Sequence, residues 1–279
     1  MSRIVVTGAS GFVASRLLPL LGRERASLVA VSRRERCEPT PDNCEWVSVA
    51  SYEDLQLSKS DWVIHLAESA VASDYASKEL VERQNRVLER LLNKAGPRFI
   101  YVSSAAVYGD RESLRHREDE QIIPASPYGQ YKLRAETQVL SAGGRVARPA
   151  NLYGPGMSSR NVLSDALGQL SSDGPVRMRS LGAVRDYLWI DDFVAGLAKL
   201  QAGAIGGCFN FGTGIGTSVA KLVEVILEIA GQKGRSIEAS FEGDEPSELL
   251  LDATKAKEAL GWIPETSLRK GLEQLVFQK

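Results

Sequence analysis

An alternation of short apolar runs with helix-length segments constrains this chain most. Residues 4–6, 28–31, 46–49, 62–64, 99–102 and 146–147 are β-branched and aromatic runs that read as strands. Between residues 78 and 95 the apolar positions Leu80, Val81, Val87, Leu88, Leu91 and Leu92 recur at spacings of seven and four, which is one face of a helix. Strands and helices alternating at this spacing predict an α/β chain with a doubly wound parallel sheet and helices on both sides. The second half is less regular. Gly and Pro cluster at residues 154–156, 173–175 and 203–216, and residues 219–230 form an amphipathic helix with Leu222, Val223, Ile226 and Ile229 on one side. A smaller C-terminal lobe is expected beyond a boundary near residue 155, with no long linker.

The first strand runs into Thr7-Gly8-Ala9-Ser10-Gly11-Phe12-Val13-Ala14 before the first helix. Glycine at 8 permits a tight turn, glycine at 11 lets a pyrophosphate approach the backbone, and the helix start offers free N–H groups and a positive dipole end. Gly8, Ser10, Gly11, Phe12 and Val13 are therefore candidate dinucleotide contacts. The spacing is G-x-x-G-x-x-A and departs from G-x-G-x-x-G. The second strand ends in Ser32-Arg33-Arg34, with no carboxylate for an adenosine ribose. Two arginines and a hydroxyl suit a 2′-phosphate, which favours NADP over NAD. A solvated basic turn, with Glu35 and Arg36 alongside, is the other reading.

Composition excludes several classes. Over 279 residues, 34 Lys+Arg stand against 35 Asp+Glu, a net charge of −1 that argues against a nucleic-acid binder held by phosphate neutralisation. The stretch Arg111 to Arg117 is interrupted by Glu112 and followed by Glu118-Asp119-Glu120. No apolar run approaches the ~20 residues of a membrane span, and the N-terminus has no signal-peptide layout. Cys37, Cys44 and Cys208, widely and unevenly spaced, with only His65 and His116 to join them, make neither a disulfide framework nor a metal site. The chain reads as cytoplasmic.

Ser126-Pro127-Tyr128-Gly129-Gln130-Tyr131-Lys132 is the most informative stretch. Ser126 is a good N-cap and Pro127 suits the first helical position. Tyr128 and Lys132, four apart, share a helix face. An ammonium beside a phenol favours the phenolate and makes tyrosine a usable proton donor and acceptor. Taken alone the pair is an ordinary surface contact. Ser104, at the carboxyl end of the strand over 99–102, can hydrogen-bond a substrate oxygen there or satisfy nearby backbone. His65, on an apolar strand, reads as a packed core histidine, and Trp62 and Trp189 read as core aromatics.

These pieces occur in one order. Thr7-Gly8-x-x-Gly11, His65-Leu66-Ala67, Ser103-Ser104-Ala105-Ala106-Val107-Tyr108-Gly109, Tyr128-x-x-x-Lys132, Arg148-Pro149-Ala150-Asn151-Leu152-Tyr153-Gly154-Pro155-Gly156, Arg185-Asp186-Tyr187 and Leu260-Gly261-Trp262-x-Pro264 follow one another along nearly the whole length. Together they resemble the extended short-chain dehydrogenases/reductases of the NAD-dependent epimerase/dehydratase family. The resemblance implies an NAD(P)-binding Rossmann domain over 1–155, to which segments of about 186–212 return, and a mainly substrate-binding α/β lobe over 156–279. It implies Tyr128 as acid/base, Lys132 on the nicotinamide ribose, Ser104 at the reacting sugar oxygen, and Leu66 and Ala67 along the cofactor channel. It also implies Asn151 near the substrate diphosphate or nicotinamide and Arg185 on the diphosphate of a nucleotide-linked sugar. An arginine fork suits phosphate, although Asp186 and Asp191 are alternative partners for Arg185. Such proteins often dimerise through the helices matching 78–95 and the one starting at Tyr128, so a homodimer is expected.

Departures from the family pattern narrow the reaction. Family dehydratases carry an Asp-Glu pair where this chain has Ala105 and Ala106, so dehydration by that route is not expected. The cysteine of the 3,5-epimerase-reductase branch is missing there too. Hydride exchange at a sugar carbinol or keto carbon, C4, remains, as a 4-ketoreductase using NADPH or a 4-epimerase retaining NAD. The Ser32-Arg33-Arg34 turn tilts the reading to the reductase. Many relatives carry a second diphosphate arginine where this chain has Ser240 and Phe241, followed by the acidic segment 242–248, which leaves a substrate other than a nucleotide sugar open. A non-catalytic NAD(P)-binding sensor is the alternative from another class; it would have little use for Ser104, Tyr128 and Lys132 together.

Overall fold

A computed structural model describes residues 3–24, 27–35, 40–109, 115–241 and 247–277. Arg36, Cys37, the stretch 111–114 and the acidic residues 242–246 lie outside the described residues. Strands β1 (Arg3–Thr7), β2 (Ser27–Ser32), β3 (Cys44–Ser48), β4 (Trp62–His65), β5 (Phe99–Val102) and β6 (Arg145–Pro149) alternate with helices α1 (Phe12–Gly22), α2 (Lys78–Ala95) and α3 (Pro127–Ser141). Then come β7 (Asn151–Tyr153), α4 (Val162–Gly168), β8 (Val176–Met178), β9 (Val184–Trp189), α5 (Ile190–Ala202) and β10 (Gly207–Phe211). The chain closes with β11 (Gly216–Ser218), α6 (Val219–Ile229), β12 (Ile237–Ala239), β13 (Glu248–Leu249), α7 (Thr254–Leu260) and α8 (Leu268–Phe277).

The seven-stranded sheet has the order β3-β2-β1-β4-β5-β6-β10 and every neighbouring pair is parallel. It is a doubly wound Rossmann-type sheet, and each of its strands predicted from the first half of the sequence is present. The last strand, β10, comes from after residue 200 and lies beside β6. Strand side chains alternate between two buried faces, as a covered parallel sheet requires. Ile4, Val6, Leu28, Ala30, Ile64, Ile100 and Ala147 pack with α1 and α5. Val5, Val29, Val31, Val63, Phe99, Tyr101 and Val146 pack with α2 and α3. Four of the six apolar positions of the α2 stripe, Val87, Leu88, Leu91 and Leu92, are buried on this sheet face, while Leu80 and Val81 are half-buried. A four-stranded assembly of β7, β9, β11 and β13 and the short β8–β12 pair form the remaining sheets, with α4 and α6 packed into the same core as α1 and α5.

Strand order reverses between β1 and β4, and the carboxyl ends of these strands define the crevice where such sheets bind ligands.

Candidate active site

Gly8 leaves β1 with φ +69°, and a Cβ there would stand 2.6 Å from the Leu66 carbonyl oxygen. The phosphate-type turn is thus pressed against the end of β4, a reason for glycine separate from any ligand. Gly11 is the N-cap of α1 and no side chain caps it, so the first helical N–H groups, those of Phe12 and Val13 among them, are left without an intrahelical partner. The crevice is a cavity of about 670 Å³ lined by Gly8, Ser10, Gly11, Ser32, Arg33 and Arg34 at one end and by His65, Leu66, Ala67 and Glu68 at the other. Glycine turn, open helix N-terminus and cavity together fit a dinucleotide.

At the β2 end, the buried Ser32 hydroxyl is already engaged. It donates to Ser10 Oγ at 3.0 Å and accepts the Arg34 backbone N–H at 3.0 Å. The positive charge at this end comes from Arg33, whose guanidinium lies 5.9 Å from the Tyr52 ring centroid, with Arg34 and, from α2, Arg83.

Tyr128 and Lys132 stand on α3. Ser126 Oγ caps the helix by accepting the Gly129 N–H at 3.1 Å, and Pro127 occupies the first turn. A Cβ on Gly129 would come 2.4 Å from the Ala106 carbonyl oxygen, so glycine lets α3 close on the turn at residues 105–107. That turn begins at Ser104, whose Oγ accepts the Ala106 N–H at 3.2 Å and keeps its own proton to donate elsewhere. Tyr128 is half-buried, edge-on to Tyr75 with ring centroids 4.9 Å apart. Lys132 Nζ lies 5.7 Å from the Tyr128 ring centroid. Tyr128 and Lys132 do share one face.

The lysine, however, has a partner that the sequence reading did not identify. Lys132 Nζ donates to Glu68 Oε2 at 2.6 Å and to the Val102 carbonyl at 2.9 Å. Glu68 also accepts the hydroxyls of Tyr101 at 2.8 Å and Tyr131 at 2.7 Å. Both charged side chains are almost fully buried. Burial by itself would raise the Glu68 carboxyl, but the Lys132 ammonium and the donated hydrogen bonds hold it below its ordinary range. Burial likewise opposes the charged lysine, and Glu68 foremost keeps its pKa raised. His65 is a buried, neutral ring: burial pushes it down to about 4. Its Nδ1 lies 2.8 Å from Thr7 Oγ1 and its Nε2 lies 3.8 Å from Glu68 Oε1. A signal for Glu68 was present in the chain, a lone carboxylate directly after His65-Leu66-Ala67 at a strand's carboxyl end.

The remaining candidates lie away from this cluster. Asn151 opens β7 and is exposed. Arg185 donates to the carbonyls of Val184 at 2.8 Å and Ser247 at 2.9 Å and to Ser247 Oγ at 2.7 Å. Neither neighbouring acid takes it. Asp186 accepts from Thr213 and Gly214, and Asp191 pairs with Arg16. Trp189 is buried, and Trp62 lies under the Arg145 guanidinium at 4.5 Å.

The profile of the NAD dependent epimerase/dehydratase family matches residues 4–212. The chain belongs to this family. Among curated relatives, UDP-glucuronic acid decarboxylase 2 of Arabidopsis thaliana is 30% identical over 98% of this chain and 67% of its own length. Among solved structures, the UDP-glucose 4-epimerase of Thermotoga maritima, determined with UDP-glucose, superposes with a TM-score of 0.85 at 28% identity, covering 98% of this chain and 97% of the other. The UDP-glucuronic acid 4-epimerase of Bacillus cereus, determined with UDP-glucuronic acid and NAD, gives a TM-score of 0.82 at 25% identity over 97% of this chain and 96% of the other.

Proposed function

We propose that this chain is an NAD(P)-dependent oxidoreductase acting at a carbinol or keto carbon, C4, of a nucleotide-linked sugar, and that it works as a 4-ketoreductase. The observation that carries the chemistry is the placement of Tyr128 beside the Lys132 ammonium on the first turns of α3, closed against the turn that starts at Ser104. Tyr128 gives a proton to the sugar oxygen in reduction and takes it in oxidation. Ser104, with a proton still to donate, stabilises charge developing on that oxygen. An ammonium has three donors; with two engaged, Lys132 keeps one for the nicotinamide ribose. A bound nicotinamide supplies or accepts the hydride. The pyrophosphate would lie against Gly8, Ser10, Gly11, Phe12 and Val13, and the cofactor channel along Leu66 and Ala67.

Arg33 and Arg34 support NADP, because the end of β2 offers guanidinium groups and not a carboxylate. Turnover of NADPH is what a reductase needs. The second reading, a 4-epimerase that retains NAD, is favoured by the epimerases among the similar structures, one of them holding NAD. Residues 156–279, with Asn151 and Arg185, would form the substrate side, and a UDP-linked sugar is the first substrate to try given the ligands of those neighbours. The family resemblance also carries a homodimer through the outer faces of α2 and α3 and a cytoplasmic setting.

Denaturing the purified protein and identifying any released nucleotide separates the two readings. Release of NADP, or a nucleotide-free protein that then binds NADPH more tightly than NADH, supports the reductase. Retained NAD overturns it in favour of the epimerase. A thermal-shift panel of UDP-, GDP- and dTDP-sugars then identifies the substrate.

A further inference from the structure

The Lys132–Glu68 pair is more elaborate than holding a ribose requires. Glu68 comes from the end of β4, across the cavity wall from α3, and three donors converge on its carboxylate: Tyr101 from β5 and Tyr131 and Lys132 from α3. It lines the cavity while Lys132, behind it, is 4% exposed. The titratable and charged groups facing this pair are His65 on β4, Tyr101 on β5, Tyr75 in the turn at 72–76, and Tyr128, Tyr131 and Glu136 on α3. Arg83 of α2 and Asp74 line the same cavity. Only Glu68 among the acids is hydrogen-bonded to the ammonium within the described residues.

We propose that Glu68 is a positioning residue for the reacting pair: it is the buried counter-ion that keeps Lys132 an ammonium behind the cavity wall and fixes where its charge sits relative to Tyr128. This rests on the hydride-transfer reading above. Without Glu68, the buried lysine retains only the Val102 carbonyl as a hydrogen-bond acceptor. It then loses its proton at lower pH. Reduction needs a charged lysine beside Tyr128, so the alkaline limb of the pH–rate profile moves downward with it.

The test uses the full-length protein with lysines labelled with ¹³C at Cε, the Lys132 resonance being assigned by its loss in Lys132→Met. Wild type, Glu68→Asp and Glu68→Gln are compared. The Lys132 midpoint is expected above the ordinary lysine range in wild type and lower by about one pH unit or more in Glu68→Gln. Glu68→Asp, which keeps the charge but shortens its reach, is expected between them. The alkaline limb of kcat for keto-sugar reduction by NADPH should follow the same order. A merely structural role lowers kcat or the melting temperature without moving either midpoint or limb. Should Glu68→Gln fail to fold, Glu68→Asp against wild type decides, and an unmoved Lys132 midpoint overturns the proposal. If the wild type transfers no hydride with any sugar tried, the functional reading fails while the lysine titration still decides Glu68. If the wild type is active and the Lys132 midpoint and limb stay put, Glu68 alone loses its role.

Discussion

Helix α3 carries two buried ion pairs one turn apart and of opposite polarity. Lys132 meets Glu68 at 2.6 Å, and Glu136 meets Arg148 of β6 at 2.6 Å. All four side chains are almost fully buried, yet the two pairs differ in how their hydrogen bonds are spent. The Arg148 fork places Nε and Nη2 on the Glu136 carboxylate and Nη1 on the Tyr108 hydroxyl at 2.7 Å. Tyr108 in turn donates to Asn210 on β10, and Asn210 donates to the carbonyls of His116 and Asp252. That pair is locked into a network joining the large sheet to the C-terminal segment. The Lys132 pair instead has an ammonium proton to spare and a carboxylate on the cavity surface. Burial of charge does not mark function; the role proposed for Lys132 rests on the donor it has left over beside Tyr128.

The comparison breaks if activity follows the wrong pair. Tyr128→Phe, and Lys132→Met beside it, should lower turnover by about 10²–10⁴-fold in single-turnover assays with cofactor and sugar bound. Near-normal rates would remove the Lys132 end from the chemistry. Arg148→Met should instead act on stability, because Glu136 is left charged and unpaired in the core. A loss of about 3–5 kcal/mol in urea unfolding is expected. Joint replacement, Glu136→Leu with Arg148→Met, should recover much of it and leave cofactor affinity unchanged, since buried pairs tolerate apolar substitution when both charges go.

Acid should separate the two ends as well. His65 stands beside Glu68, and burial holds its folded pKa down to about 4 from an ordinary 6.5. Between these values the unfolded chain binds a proton that the folded chain does not, so stability falls as pH drops from 6.5 toward 4. The loss is at most about 3 kcal/mol. His65→Gln should flatten urea midpoints measured from pH 7 to 4.5 relative to wild type; parallel curves would show that the ring accepts a proton in place. The smallest effect is expected at the open end of the cavity. Arg33→Ala and Arg34→Ala should each reduce the preference for NADPH over NADH by roughly tenfold, the loss of one charge-assisted contact. Unchanged preference in fluorescence titration would return these arginines to a solvated turn.

The large sheet was legible because its signals are local. Six β-branched runs in the first half each became a strand, and the stripe of α2 pointed to a buried face. Ser126 and Pro127 announced the start of α3, and the four-residue spacing put Tyr128 and Lys132 on one face. Glu68 was not legible as a partner, because Lys132 lies 64 residues away and only the β4–β5–α3 packing brings them together. Ser32 was read as a phosphate ligand from its position at a strand end; it lines the cavity, and only the tertiary structure shows its hydroxyl bonded to Ser10 and to the Arg34 N–H. The C-terminal half of the α2 stripe, Val87, Leu88, Leu91 and Leu92, packs on the sheet face, which spacing along the helix alone does not specify.

By itself the sequence determined six of the seven strands of the large sheet, their parallel winding and the presence of a phenol, an amine and a hydroxyl at strand and helix ends, since propensity, periodicity and caps act over a few residues. Tertiary structure alone decided which charges meet. It closed α3 on the Ser104 turn through Gly129, set the Gly8 turn against Leu66, and gave Lys132 a carboxylate. Such choices depend on which strand ends converge and on the cost of burying a charge without a partner, and neither quantity is a property of any short stretch of chain.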